Sequence, residues 1–296
     1  MSIGVSVIIP VFRDWQSLKH CLDSLPRQTY SLEKIEVIVV NNDPGHSYPF
    51  GLPGINIRFI KEHRKSSYIA RNTGVLASRG QILAFTDADC IPDAGWIKAG
   101  VECLQQTDAM LAGGRVDFIF SKNPSPAELL DAAEHMDNED TIAKHSCAVT
   151  ANLFVLRSVF DRAGLFDQKA RSGGDIEFTQ RASSHGCPIT YCKDAVVRHP
   201  ARSFRESLGK SFRVGKGLLG TELKRPRVFG NRWKMLLLHL IPITNPRRIL
   251  RTQKKYAQQS AFVFLQMLLI SVIFGLVKNA GFLTSLASLP FKPRKA

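Results

Sequence analysis

The chain has 296 residues, of which 44% are hydrophobic and 22% charged, and its formal net charge is +15. This composition excludes a disordered chain, and the length suits an α/β fold with one large core. The charge is uneven, because residues 1–199 carry 21 Lys and Arg against 23 Asp and Glu, whereas residues 200–296 carry 19 against 2. The basic last third predicts a partner with negative charge, either nucleic acid or anionic lipid.

The cysteines and the N-terminus bear on the compartment. Six cysteines are scattered without a C-x-x-C pair, a spacing that favours reduced core thiols over a disulfide framework or a zinc site. No basic stretch precedes the apolar run Val5–Val11, so we interpret that run as a strand and not as a signal peptide. We therefore expect this part of the chain to lie in the cytoplasm.

The first elements alternate between strand and helix patterns. Val5–Val11 and Ile35–Val40 are β-branched runs of strand length, and Asp14–Leu25 between them has apolar residues at helical spacing. This order predicts a βαβ unit. The second strand ends in the turn sequence Asn41–Gly45, where Asp43 is placed either to accept hydrogen bonds from a ribose or base, or to bond to its own backbone.

A third strand, Ile55–Ile60, and a helix, Ser67–Ser78, follow in the sequence. Arg71 lies near the start of this helix. From there an arginine either reaches a nucleotide base or phosphate, or lies along the helix surface.

The next strand, Ile82–Phe85, ends abruptly at two carboxylates, Asp87 and Asp89, before Pro92. In open α/β sheets, ligands bind at this edge. Two carboxylates one residue apart cannot both enter a core, since each buried charge needs a partner. A hard divalent cation with phosphates as its other ligands would satisfy them, and a solvated turn is the alternative.

Beyond Pro92 the pattern predicts further elements. They are a helix over Trp96–Leu104, a strand over Met110–Phe120 and a helical stretch over Pro126–Lys144. Acidic residues at i, i+3 spacing share one face of that stretch, which favours a solvated surface.

Two glycines precede Asp175 at a predicted helix start. This predicts a tight turn with the Asp175 side chain directed into a cleft, and a helix N-cap is the alternative. Short strands are predicted at Ile189–Cys192 and Ala195–Val197, and His199 follows them.

In their order and spacing, these segments resemble the family 2 glycosyltransferases. The motifs that carry the resemblance are V-S-V-I-I-P-V-F near the start, Asn42-Asp43, A-R-N-x-G at Ala70–Gly74, D-A-D at Asp87–Asp89 and G-G-D-x-E-F at Gly173–Phe178. They span the first two thirds of the chain. The resemblance implies a GT-A fold, which is a Rossmann-like, mixed, mainly parallel sheet flanked by helices that binds a nucleotide-sugar at its strand ends.

The resemblance also implies site residues for the nucleotide-sugar. The residues that would line the nucleoside pocket are Pro10, Phe12, Asp43 and Arg71. Asp87 would approach the ribose, and Asp89 would bind the Mn²⁺ or Mg²⁺ that bridges the diphosphate, with His199 as an additional metal ligand.

A second carboxylate motif implies the base. Asp175 would remove the proton of the acceptor hydroxyl, and one displacement would invert the anomeric centre. Gly174 departs from the family's pattern, because many members carry Glu there. If Asp175 is not the base, Glu177 is the next candidate.

Two alternative functions stay open from the sequence. A sugar-phosphate nucleotidyltransferase shares a Rossmann-like sheet but carries a Gly-rich loop after its first strand, and Pro10–Asp14 has no glycine. A non-catalytic, membrane-docked nucleotide-sugar-binding protein is the other, although it has no need for three carboxylates in these motifs.

We predict a catalytic domain over residues 1–200 and a basic, helical, membrane-associated region over residues 201–296. Tyr256–Val277 has 22 residues without a charge, which reach about 33 Å as a helix and match a bilayer. This stretch would cross the membrane once, or form a hairpin with a second apolar segment, Ala280–Leu289. It would otherwise lie in the membrane interface. The alternative to a membrane segment is a pair of buried core helices. Trp233–Ile243 is expected to be an interfacial helix.

A basic cluster over Arg247–Lys255 precedes the apolar stretch and is expected to stay on the cytoplasmic side. We therefore expect a protein of the cell membrane with its catalytic domain in the cytoplasm. The expected partners are a nucleotide-sugar donor, a glycan or lipid-linked acceptor and membrane lipid, but not nucleic acid.

Overall fold

The structure is a computed structural model, and it describes residues 4–43, 45, 54–222, 246–256 and 260–287. The interfacial helix predicted over Trp233–Ile243 lies outside these residues, as does the end of the chain after Ala287.

The described part of the chain contains one eight-stranded sheet. In chain order the strands are β1 (Val5–Val11), β2 (Ile35–Asn41), β3 (Asn56–Lys61), β4 (Ile82–Thr86), β5 (Ile91–Pro92), β6 (Leu111–Ile119), β7 (Asn152–Leu156) and β8 (Ile189–Pro200). Their order across the sheet is β3-β2-β1-β4-β7-β6-β8-β5. Four neighbouring pairs, β1–β2, β2–β3, β1–β4 and β6–β8, are parallel and the other three are antiparallel. The predicted mixed, mainly parallel sheet is confirmed.

The same part of the chain contains ten α-helices. They are α1 (Trp15–Ser24), α2 (Ser67–Ala77), α3 (Trp96–Gln106), α4 (Pro126–Glu134), α5 (Asn138–His145), α6 (Ser158–Ala163), α7 (Gly174–Ser184), α8 (Phe204–Glu222), α9 (Pro246–Lys255) and α10 (Ala261–Ala287). The predicted βαβ unit is present as β1, α1 and β2.

The strands at the centre of the sheet are almost entirely apolar because both of their faces are covered. Every residue of β2 and β4 is buried, as expected for parallel strands that are covered on both faces. Helix α2 packs closely on β1 at Gly74, where an added Cβ would lie 2.5 Å from Ile8 Cγ2. The glycine of the A-R-N-x-G motif therefore allows this close approach.

The single helical stretch predicted over Pro126–Lys144 is wrong, because it is two helices, α4 and α5. Met136 between them has a φ of 59°, and this left-handed conformation cannot continue a helix. The predicted solvated acidic face is also wrong. Glu128 completes a capping box at the start of α4, Asp137 caps α5, and Asp131 is buried.

The two short strands predicted at Ile189–Cys192 and Ala195–Val197 are one strand, β8. Its register against β6 shifts after Gly114, so that residues 193–195 form a bulge. A bulge breaks the alternation of side chains, which explains the gap in the sequence pattern. His199 consequently lies within β8 and not after a strand.

The chain divides into two compact units. The first, here named the sheet unit, comprises Met1–Ile119, Met136–Gln168 and Gly174–Pro200. The second, here named the helical unit, comprises Phe120–His135, Lys169–Gly173 and Ala201–Ala296. Two segments from the first 200 residues therefore fold with the last third. The functions predicted for residues 1–200 and 201–296 stay predictions.

The helical unit has its own apolar core. The buried side chains of this core are Leu129, Leu130, Ala133, Ile249, Met267 and Phe274, from α4, α9 and α10. Helix α10 is continuous from Ala261 to Ala287, so the predicted hairpin is wrong. Among the described helices, α10 alone is long and apolar enough to cross a membrane, a test that a core helix also passes.

Candidate active site at the strand ends

Two carboxylates lie at the edge of the sheet where β1, β2 and β4 end. The three strands are parallel, so their carboxyl ends meet at one edge. Asp87 and Asp89 follow β4 in a turn that closes with a hydrogen bond from the Cys90 N–H to the Asp87 carbonyl oxygen, 3.1 Å. Their side chains are 30% and 32% exposed, whereas Ala88 between them is buried. Both carboxylates are thus partly exposed at the edge of the sheet.

Arg71 and Asp87 form a tight ion pair at this edge. Arg71 Nη2 lies 2.5 Å from Asp87 Oδ1, and the arginine side chain is only 6% exposed. The guanidinium carbon lies 5.7 Å from the centre of the Tyr68 ring. Because a buried guanidinium needs a negative partner, Arg71 and Asp87 hold each other in place. The sequence predicted both residues for the site but not their contact.

Asp89 and His199 are also brought together. His199 Nε2 lies 3.2 Å from Asp89 Oδ2, and the histidine side chain is 1% exposed. The short strand β5 pairs with β8 at Ile91 and Arg198, which brings the two side chains together across 110 residues of sequence. The ring of Phe118 contacts the imidazole edge-on, with 6.0 Å between ring centres. The two predicted metal ligands are neighbours.

Asp175 lies in the first turn of α7. This helix already includes Gly174, so Asp175 is not its N-cap. Asp175 Oδ1 accepts a hydrogen bond from the Ile176 N–H, 3.0 Å. Burial raises the pKa of the Asp175 carboxyl; the positive charge of Arg71 opposes this shift and the negative charge of Asp87 adds to it. Asp175 therefore shares the electrostatic environment of the Arg71–Asp87 pair.

The contact with Tyr68 explains why residue 174 is a glycine. The Gly174 N–H donates a hydrogen bond to the Tyr68 hydroxyl oxygen, 2.9 Å, and an added Cβ at Gly174 would lie 2.9 Å from the Tyr68 ring. Tyr68 thus occupies the space that the glutamate of many family 2 members would need. Burial, together with the charge of Asp175, raises the pKa of the Tyr68 hydroxyl, so Tyr68 stays protonated at neutral pH.

Glu177, the other candidate base, has a different partner. Its Oε1 lies 2.7 Å from Arg181 Nε, one helical turn away, and Arg181 also donates a hydrogen bond to the Leu165 carbonyl oxygen. Glu177 therefore anchors Arg181 on the side of α7.

The residues predicted for the nucleoside pocket lie where β1 and β2 end. Phe12 is 46% exposed, and the Arg13 guanidinium carbon and the Lys65 ammonium lie 5.1 Å and 6.0 Å from its ring centre. Asp43 is 8% exposed, and its Oδ2 lies 3.0 Å from Arg13 Nε. Pro10 lies one residue before the end of β1. Pro10, Phe12 and Asp43 thus share one edge with Asp87, and their role in binding a nucleoside stays a prediction.

A comparison with protein families decides the identity. The model of glycosyl transferase family 2 matches residues 6–162, which include the strand ends and the Arg71–Asp87 pair. The chain belongs to glycosyltransferase family 2. It is thus a glycosyltransferase, and its activity is the transfer of sugars.

Curated relatives agree with this assignment. The chain is 39% identical over 220 residues to the glycosyltransferase AglE of Haloferax volcanii, and the aligned residues cover 72% of each protein. It is 30% identical over 210 residues to the pre-mycofactocin glycosyltransferase of Mycobacterium tuberculosis, which covers 67% of this chain and 43% of that protein.

Solved structures share the fold. A mannosyltransferase from Pyrobaculum calidifontis, in complex with GDP-Man and Mn²⁺, has a TM-score of 0.60 at 16% identity and covers 95% of this chain and 88% of its own. TarS of S. aureus, in complex with UDP-GlcNAc, has a TM-score of 0.54 at 13% identity and covers 98% and 93%. At these identities the likeness shows the fold alone. The glycosyltransferase has the GT-A fold.

The residues at the sheet edge fit a divalent cation with few protein ligands. Within the described residues, no group of three or more His, Cys, Asp and Glu side chains is arranged around a common point. Asp89 and His199 are therefore a set of two. Mg²⁺ in sites that handle phosphates typically takes one or two carboxylates and fills its other positions with phosphate oxygens and water. The Asp89 carboxylate meets this requirement, and the His199 imidazole, a common type of metal ligand, lies 3.2 Å from it.

The sequence did not predict three residues that position the site. Tyr68 was detectable, since it precedes Arg71 by three residues on one helix face. Arg13 was not, because it has a φ of 61°, a conformation that non-glycine residues seldom adopt. Asn152 accepts a hydrogen bond from Trp96 Nε1 and donates to the Ala195 carbonyl oxygen, both 2.8 Å. It thereby fixes the bulge of the strand that carries His199.

Proposed function

We propose that this glycosyltransferase is an inverting, metal-dependent enzyme. It would move a sugar from a nucleoside-diphospho-sugar to an acceptor hydroxyl, at the cytoplasmic face of the membrane, in glycan or glycolipid assembly. The observation that carries the proposal is the convergence at one sheet edge of two aspartates, each with its own partner, and a third aspartate with a raised pKa.

The donor nucleoside would lie at the ends of β1 and β2. The exposed ring of Phe12 offers a stacking surface, and Asp43 offers an acceptor for the base. Asp87 would accept from the ribose, and Arg71 holds that carboxylate in position at 2.5 Å. The bound nucleotide-sugars of the P. calidifontis and S. aureus proteins support a donor of this class.

Asp89 and His199 would hold the metal. A Mn²⁺ or Mg²⁺ ion bound there would neutralise the charge that develops on the departing nucleoside diphosphate. The Mn²⁺ in the P. calidifontis complex supports this choice of ion. Before the donor binds, the imidazole and the carboxylate hold each other in place at 3.2 Å.

Asp175 would be the base. Burial raises the pKa of the Asp175 carboxyl, and a carboxylate with a raised pKa is a stronger proton acceptor than an ordinary aspartate. It would take the proton of the acceptor hydroxyl as the oxygen attacks the anomeric carbon and the bond to the diphosphate breaks. A single displacement inverts that carbon and leaves no covalent intermediate.

The membrane-facing part of the proposal is supported by the last third of the chain. Residues 200–296 carry 19 Lys and Arg against 2 Asp and Glu, and α10 is long and apolar enough to cross a bilayer. Only 17% of the most apolar stretch of α10 is buried, whereas the core helix of a soluble protein is mostly buried. A glycan or lipid-linked acceptor would then be presented beside the membrane.

The full chain should be incubated with a panel of nucleotide-sugars, with Mn²⁺, Mg²⁺ or a chelator. We expect one donor to be hydrolysed slowly in the presence of metal, with the nucleoside diphosphate as product. Pyrophosphate exchange with a sugar phosphate would instead indicate a nucleotidyltransferase. Tight binding of a donor without turnover, with any acceptor extract, would indicate a non-catalytic binding protein.

A further inference from the structure

Helix α10 has one face that is fully apolar and exposed. The large exposed side chains of this face, here named the outer face, are Phe262, Leu265, Leu269, Val272, Leu276 and Leu283. Their spacing of three, four or seven residues places them in one stripe of the helix. The stripe runs from Phe262 to Leu283, about 32 Å at 1.5 Å per residue. A stripe of this length at a surface needs an apolar partner.

The opposite face of α10 packs against α4 and α8 of the same unit, and its contacts include polar and charged groups. Ser271 Oγ donates a hydrogen bond to Glu134 Oε1, 2.7 Å, and Ser285 Oγ donates to the Lys216 carbonyl oxygen, 3.0 Å. An added Cβ at Gly281 would overlap the carbonyl of Phe212, so α8 and α10 approach closely. If α10 crossed a bilayer in this packing, it would carry the Glu134 carboxylate and the charges of α8 into hydrocarbon, where they are strongly disfavoured.

The helix before α10 supplies charge for one class of partner. Pro246–Ala287 contains six Lys and Arg and no Asp or Glu, and five of the six lie in α9. Helix α9 lies against the start of α10, since Gln253 Nε2 donates a hydrogen bond to the Ser260 carbonyl oxygen, 3.2 Å. A second copy of this face would add only further positive charge, whereas an anionic lipid surface would complement it.

A crevice of about 300 Å³ lies between α9 and the start of α10. The residues that line it are Leu250, Gln253, Lys254, Ser260, Ala261 and Phe264. Apolar walls beside a lysine ammonium suit an acyl chain whose phosphate lies at the surface. This chemistry also favours lipid over a second protein copy.

We propose that the outer face of α10 and the basic side of α9 dock onto an anionic lipid surface, with α10 lying in the plane of the membrane and not crossing it. This inference rests on the membrane-facing part of the proposed function. In this arrangement α10 does not cross the membrane. One side of the helix contacts acyl chains and the other side contacts the protein. Such a helix is bound by its buried apolar area together with the attraction of its cations to anionic lipid.

Vesicle binding of the full chain tests the surface. The probes are vesicles of phosphatidylcholine alone and vesicles that also contain phosphatidylglycerol. We expect cosedimentation with the anionic vesicles, a loss of affinity of at least about tenfold in Leu269→Glu, and a loss of about fivefold in Arg251→Gln, the worth of one cation near such a surface. The matched control is Leu76→Glu, which changes a 75% exposed leucine of the sheet unit and should bind like the parent.

Equal binding of Leu269→Glu and Leu76→Glu would overturn the docking surface, and so would a parent dimer in solution that Leu269→Glu dissociates without any vesicle binding. Hydrolysis of the nucleotide-sugar by Leu269→Glu in solution is measured in parallel and should match the parent. If no chain hydrolyses any donor while vesicle binding follows the expected order, the proposed chemistry fails and the docking surface stands.

Labelling decides between lying and crossing. Lys255→Cys and Thr284→Cys place a thiol just before α10 and near its end, and both positions are exposed and lie outside the outer face and the crevice. In membrane vesicles with the cytoplasmic face outward, an impermeant maleimide should label both variants above the background of the parent without detergent. Labelling of one variant only, until detergent is added, would show a span and overturn the in-plane arrangement.

Discussion

In the sheet unit, the aspartates after β4 are about one third exposed and each pairs with a basic side chain. In the helical unit, Asp131 is fully buried and lies beside several basic side chains. Arg202 Nη1, Lys210 Nζ and His135 Nδ1 lie 3.4, 3.6 and 3.1 Å from its carboxylate oxygens. The first arrangement keeps part of each carboxylate at the surface, where a ligand can reach it. The second encloses the carboxylate among cationic side chains that stabilise the fold.

The pKa shifts agree with this difference. Burial alone would raise the pKa of Asp131, but the contacts with His135, Lys210 and Arg202 outweigh burial and hold it well below its usual range. Burial and the nearby charge of Arg202 lower the pKa of Lys210 to about 8, although the contact with Asp131 opposes this shift. Asp131 is thus an ionised structural group, while burial raises the pKa of Asp175 towards that of a useful base.

The comparison has a testable form. Substitution of aspartates in the sheet unit should cost chemistry and leave the fold intact, and substitution of Asp131 should do the reverse. An aspartate at the sheet edge whose loss unfolds the protein would break the comparison.

The largest effect is expected for Asp89→Ala. Loss of the carboxylate would leave only His199 of the two proposed metal ligands, so transfer and metal-dependent nucleotide binding should both disappear. Titration of the nucleoside diphosphate with and without Mn²⁺ measures this. The control is Asp87→Asn, which should keep the metal dependence and weaken binding less. Unchanged metal-dependent affinity in Asp89→Ala would refute the assignment.

Asp175→Asn should lower turnover by about 10²-fold or more, since it removes the proton acceptor and keeps the shape. Donor affinity should change little. The folded-state pKa of Asp175 is raised, so its ionised form costs stability at pH values above that pKa, and the neutral amide should therefore leave Tm unchanged or higher. A variant that loses donor binding or Tm together with turnover would mean that Asp175 is structural.

Asp131→Ala should destabilise the protein by about 3–5 kcal/mol, because it leaves buried cations without their carboxylate. Donor hydrolysis per folded molecule should match the parent. The control is Asp23→Ala, which breaks an exposed pair with Lys19 and should cost less than about 1 kcal/mol. Urea unfolding of both variants measures the difference, and equal midpoints would break the contrast between the two units.

The dependence of turnover on pH should carry the signature of Asp175. Its carboxyl is protonated at a higher pH than an ordinary aspartate, whose value is 3.8. Because only the ionised form accepts a proton, kcat should fall as the pH falls through this raised pKa and be level above it. A profile of kcat measured on the folded enzyme tests this. The same acid limb in the residual activity of Asp175→Asn would assign it to another group.

The sequence predicted the sheet edge well because its signals are local. Buried strands that stop at Asp43, Asp87 or Asp89 can be read from a few residues, and parallel strands bring such ends together. Contacts that join distant parts of the chain could not be read in this way. Neither the 2.5 Å contact of Arg71 with Asp87 nor the enclosure of Asp131 by Arg202 and Lys210 has a signal at either residue.

The errors have the same origin. The acidic pattern of α4 resembles a solvated face, because the burial of Asp131 depends on cations that lie about 70 to 80 residues later. The hairpin predicted after Val277 rested on a basic tail, and no turn residue interrupts the helix strongly enough to end it. Gly281 within it serves close packing on α8 instead.

Glu177→Gln should have the smallest effect, and it sharpens the assignment of the base. Glu177 pairs with Arg181 at 2.7 Å on the side of α7, and both side chains are about one quarter exposed. Loss of such an i, i+4 pair costs about 0.5 kcal/mol, and the amide still accepts a hydrogen bond from Arg181. Turnover should therefore stay within about twofold of the parent, because Arg181 already engages the Glu177 carboxylate. Glu177→Gln and Asp175→Asn each replace an acidic side chain in α7 by its neutral amide. The two variants therefore differ mainly in position, by two residues. If Glu177→Gln lost activity about 10²-fold while Asp175→Asn retained it, the base would be Glu177 and the raised pKa of Asp175 would have no role in transfer.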